Sequence, residues 1–179
     1  DGKSKDFLIL SRISIIKNID ESIQGFLNSS YGEIQSITIV GGPLTEQDEG
    51  YENYLKNKYA KYPNVKFAGS IPYADLSPFI EESGFHINNT PLGSYDKSVL
   101  ETMAGGLVNF NSNSDYDKNI TSKYVEFLNF NGTKDDLTTK INLVYELKNK
   151  ELEEIITFSQ NRVKNESLET IHERITKVI

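Results

Sequence analysis

Two hydrophobic periods take turns along this chain, and their alternation leaves few architectures open. Brief apolar or β-branched runs at 7–11, 36–40, 65–68, 85–88, 107–110 and 124–128 are bounded by Gly, Pro, Asn or Ser, as buried parallel strands are. Between them, apolar residues recur at the helical period: Ile19, Ile23, Phe26 and Leu27, then Tyr51, Tyr54, Leu55, Tyr59 and Tyr62. Leu76, Phe79 and Ile80 make a third stripe, and Val99, Leu100, Met103 and Ala104 a fourth. Asn18 followed by Glu21 reads as a capping box for the first helix. Beyond residue 130 the pattern turns helical, with Thr133 and Asp136 opening a stripe through Leu137, Ile141 and Val144. Further stripes follow at Leu152, Ile155 and Ile156 and at Leu168, Ile171, Ile175 and Val178. Strand–helix alternation implies βαβ units with right-handed crossovers. The expected fold is therefore α/β, a doubly wound parallel sheet of about six strands with helices on both faces.

With 179 residues and no internal linker or repeat, residues 1–179 read as one domain. Nineteen Lys and Arg against 26 Asp and Glu leave a net charge of −7, the wrong sign for a surface that must neutralise phosphates along a nucleic acid. The lack of cysteine removes disulfides, thiolate catalysis and Cys-based zinc sites. His86 and His172 lie far apart, without the close spacing of zinc hydrolases, and both read as structural. No apolar run approaches the roughly 18 residues of a membrane-spanning helix, and the N-terminus lacks a signal-peptide pattern. A cytoplasmic location is expected. The chain starts without Met and reaches a strand-like run after six residues, so a fragment of a larger protein is expected.

In sheets of this kind ligands bind beyond the carboxyl ends of the strands, so chemistry is sought in the turns that follow them. After the first strand come Arg12 and, five residues on, Lys17. Two cations near one strand end can receive phosphate oxygens, Arg as a planar fork and Lys as a point charge, although both are also ordinary surface residues. Neither a Gly-x-Gly-x-x-Gly fingerprint nor a Walker loop is present. Gly41 and Gly42 follow the second strand, where backbone can approach a ligand or simply turn tightly. Gly69, Ser70 and Ile71 follow the third and lead to a helix begun around Pro72. The fourth turn, NNTPLGSYDKSVLETMAGG, carries most of the signal. Its helix starts near Asp96 or Lys97, and the unpaired amides of a helix's first turn attract anions. Asp96 also reads as that helix's N-cap. Glu101, one turn in, offers two carboxylate oxygens to two vicinal hydroxyls, with a solvated structural glutamate as the alternative.

Taken in order, these residues resemble the nucleotide-sugar-binding C-terminal domain of retaining GT-B glycosyltransferases of the glycosyltransferase family 4-like, group 1 type. The resemblance rests on Arg12 with Lys17, on VGGPL, VKFAGSIP and YADLSPFIEES, and on LETMAGG, which is similar to the family's LEAMACG. It implies a Rossmann-like domain, one half of a GT-B fold, whose acceptor-binding N-terminal partner is absent. The resemblance makes Arg12 and Lys17 the catalytic pair that binds the donor diphosphate and steadies the leaving group. Glu101 takes the place of the ribose-holding second glutamate of the family's Glu, seven residues, Glu motif. Gly41, Gly42, Ser70 and Ile71 match segments lining base and ribose, and Ser98 and Val99 match the helix start that meets the phosphates. The family's first glutamate is replaced by Gly93, and Asp96 and Lys97 of GSYDK stand where they could share its role.

The implied activity is metal-independent, retaining hexose transfer from a UDP- or GDP-sugar to a glycan or lipid-linked acceptor. It needs no cofactor besides the donor substrate. The full-length enzyme is expected at the inner face of the membrane, and residues 167–179 are expected to pack toward the missing domain. The fragment alone should bind nucleotide and turn over nothing. Two rival readings are a non-catalytic nucleotide-binding scaffold and a GT-B-type nucleotide-sugar epimerase.

Overall fold

The computed structural model of the chain describes residues 4–164. Five of the apolar runs form strands: β1 Phe7–Leu10, β2 Ile37–Val40, β3 Val65–Gly69, β4 Phe85–Asn88 and β5 Val108–Asn111. They pair in parallel in the order β3-β2-β1-β4-β5. The helices are α1 Ile19–Leu27, α2 Glu46–Tyr59, α3 Ser77–Glu81, α4 Lys97–Ala104, α5 Val125–Leu128, α6 Lys134–Tyr145 and α7 Asn149–Lys164. The stripe at Leu168, Ile171, Ile175 and Val178, the helix expected over 167–179 and His172 lie outside the described residues.

The sixth expected strand is corrected to the short helix α5, whose Asn129 amide closes onto the Val125 carbonyl at 2.9 Å. On the side of β5 away from β4, a single bridge, Asn111 to Asn129, remains among the described residues. A run of five residues, apolar except for Glu126, satisfies one helical turn as readily as one strand, so its period does not choose between them. The capping box at Asn18 is corrected too. Asn18 does precede α1, but in the left-handed region at φ 45°, and its side chain makes no cap bond. Glu21 instead accepts from the Lys134 amide at 2.8 Å, and so serves the start of α6. Thr133 caps α6 as expected, its hydroxyl accepting from the Asp136 amide.

Strand residues alternate between two apolar layers, as a period of two requires. Phe7, Ile9, Ile37, Ile39, Phe85, Ile87 and Phe110 face one layer with Ile23 and Phe26 of α1. Phe7 is its centre, with ring centroids 4.9 Å from Phe26 and 4.8 Å from Phe85. Leu8, Leu10 and Val40 face the other layer with Leu76, Phe79 and Ile80. On that same side His86 reaches across to Asn109 at 2.7 Å, and Asn109 accepts from Thr102 of α4 at 2.8 Å. That chain of buried polar groups fixes α4 against the sheet.

After β3 the chain crosses over β2 and β1 to lay β4 on the far side of β1. Strand order therefore reverses between β1 and β4, and the turns after them open a crevice at the carboxyl edge of the sheet.

Candidate functional site

The turn after β1 is tied to its neighbours before it presents any side chain. The Ser11 amide donates to the Val40 carbonyl at 3.0 Å and the Ile13 amide to the Gly42 carbonyl at 2.9 Å, while Ile13 is buried. Gly41, at φ +140°, lies so close that a Cβ there would meet the Ser11 carbonyl oxygen at 1.9 Å. A Cβ on Gly42 would meet Ser70 Oγ at 2.2 Å. These contacts hold three strand-end turns together and leave Arg12 exposed at their edge. No side-chain partner for its guanidinium is present among the described residues.

The second half of the site is the start of α4. Asp96 occupies the N-cap position, yet its side chain makes no cap bond. Its carboxylate turns to Lys17 instead, accepting from Nζ at 2.6 and 2.8 Å, and also accepts from Asn88 Nδ2 at 2.9 Å. Asn88 is itself oriented by Thr90, whose hydroxyl donates to Asn88 Oδ1 at 2.7 Å. The Tyr116 hydroxyl accepts from the Asp96 amide at 2.5 Å and donates to the Asp96 carbonyl at 3.2 Å, clamping that residue's backbone. Burial alone would raise the pKa of Asp96. The hydrogen bonds from Lys17 and Asn88 outweigh it and hold the carboxyl below its ordinary value. The first-turn amides of α4 are thus left without a side-chain cap, at the end of the helix where partial positive charge collects.

Arg12 and the α4 start share an open groove of about 250 Å³, lined by Leu10, Ser11, Arg12, Val40, Gly41, Ile71, Leu76, Asp96, Lys97, Ser98 and Glu101. Of the residues singled out from the sequence, Arg12, Gly41, Ile71, Asp96, Lys97, Ser98 and Glu101 are on its wall. Lys17, Gly42, Ser70 and Val99 are not. Lys17 reaches the groove only through Asp96, Gly42 and Ser70 brace each other behind the wall, and the Val99 side chain is in the core. Glu101 also borders a second groove of about 400 Å³ with Tyr73, Ala74, Leu76, Ser77, Ile80 and Ala104. Gly93 lies in an exposed loop at φ +81°, with open space where a Cβ would be.

Sequence reasoning did not reach Asn88, Thr90 and Tyr116. Their one signal is the polar pair Asn88–Asn89 at the end of β4, where buried amides need partners. The triplet Asp115–Tyr116–Asp117 has the Asp-x-Asp spacing of metal-dependent transferases. Its carboxylates are engaged elsewhere, Asp115 with the Gly93 amide at 3.2 Å and Asp117 with Asn129. Among the described residues, no group of three His, Cys, Asp or Glu is arranged to hold a metal ion. None of the described helices is long and apolar enough to cross a membrane.

No protein-family model matches the sequence, and no curated protein matches it. Solved structures do. The catalytic domain of cholesterol-α-glucosyltransferase from Helicobacter pylori is similar at 18% identity and TM-score 0.75, over 92% of this chain and 100% of that one. The C-terminal domain of a glycosyl transferase group 1 family protein, LpcC, from Francisella tularensis matches at 14% identity and TM-score 0.74, over 91% of this chain and 86% of its own. The fold is that of a GT-B C-terminal domain. HepE from Anabaena, solved in complex with UDP, extends the GT-B likeness to TM-score 0.79 at 17% identity, over 98% of this chain. This chain spans about half of HepE, 48% of its length.

Proposed function

We propose that this chain is the donor-binding half of a glycosyltransferase, and that the groove between the β1 turn and the start of α4 receives the diphosphate of a nucleotide sugar. The observation that carries the reading is the convergence of Arg12, whose guanidinium has no side-chain partner among the described residues, with the α4 amides that lack a side-chain cap, on one groove at the reversal of strand order. Both elements favour an anion, and a diphosphate is long enough to touch both. The UDP in HepE, and the UDP-2-fluoro-glucose in the E. coli enzyme whose fold matches at TM-score 0.78, support a nucleotide sugar as the ligand class.

In this reading Glu101, on the wall between the two grooves, accepts hydrogen bonds from the ribose hydroxyls, and Gly41 and Ile71 lie against the ribose and base. Gly42 and Ser70 hold that wall's backbone in place, and the Lys97, Ser98 and Val99 segment delivers the helix amides. When the sugar–oxygen bond breaks, negative charge grows on the diphosphate. Arg12, Lys17 and the helix end stabilise that charge in place, which is the preorganised electrostatics that dominates much of catalysis. Transfer to a glycan or lipid-linked hydroxyl, with retention at the anomeric carbon, requires an acceptor site on another domain of the whole protein.

Calorimetric titration of the chain with UDP and GDP tests the proposal. Saturable binding to one of them, weakened at least tenfold in Arg12→Ala and in Lys17→Ala, is the expected result. Binding of neither nucleotide would leave a scaffold as the better reading.

A further inference from the structure

Arg12 and Lys17 leave the same turn, yet they are in opposite states. The guanidinium is exposed on the groove wall. The ammonium, on a side chain only 9% exposed, is held by both oxygens of Asp96. Asp96 is on the wall and Lys17 is not. A carboxylate at an N-cap position ordinarily accepts from the second or third helix amide. Here it is drawn off that role, by Asn88 at 2.9 Å on its side chain and by Tyr116 on both sides of its backbone. A cation and a helix end, the two things an anion would use, are thus arranged around a carboxylate that neutralises the first and leaves the second open.

We propose that Asp96 is a specificity-determining residue: a resident anion that occupies Lys17 in the empty site, so that the second cation becomes available only to a ligand with enough phosphate charge to displace it. The inference rests on the reading of the groove as a diphosphate site. A monophosphate engages Arg12 and the α4 amides while Lys17 stays neutralised. A diphosphate extends to Lys17 and exchanges with the carboxylate, and no covalent step is involved. Arg12, Lys17 and Asp96 together carry a net charge of +1. Removing the Asp96 charge raises it to +2 and frees Lys17 without any displacement, which benefits a monophosphate more than a diphosphate that could already displace the carboxylate.

The test compares UMP with UDP, and GMP with GDP, on the wild-type chain and on Asp96→Asn, which is able to keep the Asn88 contact. Asp96→Ser, a residue suited to an N-cap, serves if the first variant does not fold by circular dichroism. The expected result is monophosphate affinity raised about tenfold, diphosphate affinity raised less, and a correspondingly smaller ratio between the two. Equal gains for both ligands would reduce the effect to simple charge repulsion and overturn the inference, as would weaker binding of either. If the wild type binds neither UDP nor GDP, the donor reading fails by itself, and phosphate against pyrophosphate on the same two proteins decides the inference. Phosphate binding gained in the variant sustains it, and binding of neither anion by the variant ends it.

Discussion

At the scale of single residues, His86 couples protonation to the stability of the fold. It is buried in β4, with Nδ1 against Asn109 Oδ1 at 2.7 Å and Nε2 accepting from the Leu10 amide at 3.4 Å. That pattern assigns the proton to Nδ1 and leaves no room for a second one. Burial, which penalises the imidazolium, outweighs the Asn109 bond and lowers the pKa from 6.5 to about 4. Between those values the unfolded chain binds a proton that the native protein refuses, so stability is lost as pH falls from 6.5 toward 4. The loss reaches about 3 kcal/mol at the lower end. Urea midpoints measured at pH 7 and pH 4.5 should show it, and His86→Gln should flatten the difference; an unaltered pH slope in that variant would remove His86 as the cause. Asp96, and Asp20 of α1, where burial is outweighed by hydrogen bonds from Lys58 at 2.8 Å and the Tyr59 hydroxyl at 2.6 Å, have lowered pKa values and act in a separate window: their contributions are present above the ordinary value of 3.8 and are lost as pH falls below it.

At the scale of elements, the site depends on how closely the strand-end turns approach one another. Gly41→Ala would place a Cβ 1.9 Å from a backbone carbonyl, at a φ of +140° that side chains avoid, so the Ser11–Arg12 turn has to move. We expect a loss of about 2–3 kcal/mol, read from denaturant midpoints, together with weaker nucleotide binding. Gly93→Ala is the control. Its φ of +81° is also left-handed, but the space around it is open, so the cost is strain alone, about 1–2 kcal/mol, with Arg12 undisturbed. Equal effects of the two substitutions on binding would show that turn contact does not position the groove.

The same scale shows what was legible in the sequence. Five strands and the stripes of α1, α2, α4 and α6 follow from period and punctuation, because the strands are buried between two apolar layers and each helix buries one apolar face in the core. The run at 124–128 did not, since its length fits two conformations and tertiary packing chose between them. Glu21 misled for a related reason: its spacing from Asn18 is right for a box, but α6 arrives over a hundred residues later and takes the carboxylate. Arg12 and Ile71, two residues past a strand, and Ser98, in the first turn of the helix that follows β4, are traceable to the groove wall, because topology fixes where strand ends point. The Lys17–Asp96 pair joins residues 79 apart, and nothing local in either segment announces it. Tyr116 was hidden likewise, reaching Asp96 from a turn after β5.

At the scale of the whole molecule, the two ends of the sheet differ. The turns at its carboxyl edge expose Ile15, Ile16, Leu44, Tyr73, Leu92 and Tyr95, and the groove opens among those turns. The groove joins segments that are distant in sequence: the β1 turn, the β2 turn, the β3 exit and α4. A ligand that bridges them binds the folded chain and not the unfolded one, so it stabilises by mass action. At a hundred times its dissociation constant the gain is about 2.7 kcal/mol. For a domain of this size each kcal/mol raises the melting temperature by about 2–4 °C, so saturating UDP or GDP should raise it by about 5–10 °C. Arg12→Ala should retain the melting temperature of the free protein, because its guanidinium has no side-chain partner to lose among the described residues, and should show little of the increment. Thermal scans with each nucleotide, with UMP and GMP beside them, make the measurement. An unchanged melting temperature at millimolar concentrations of both diphosphates would mean that the segments meeting at the strand reversal do not form a nucleotide site.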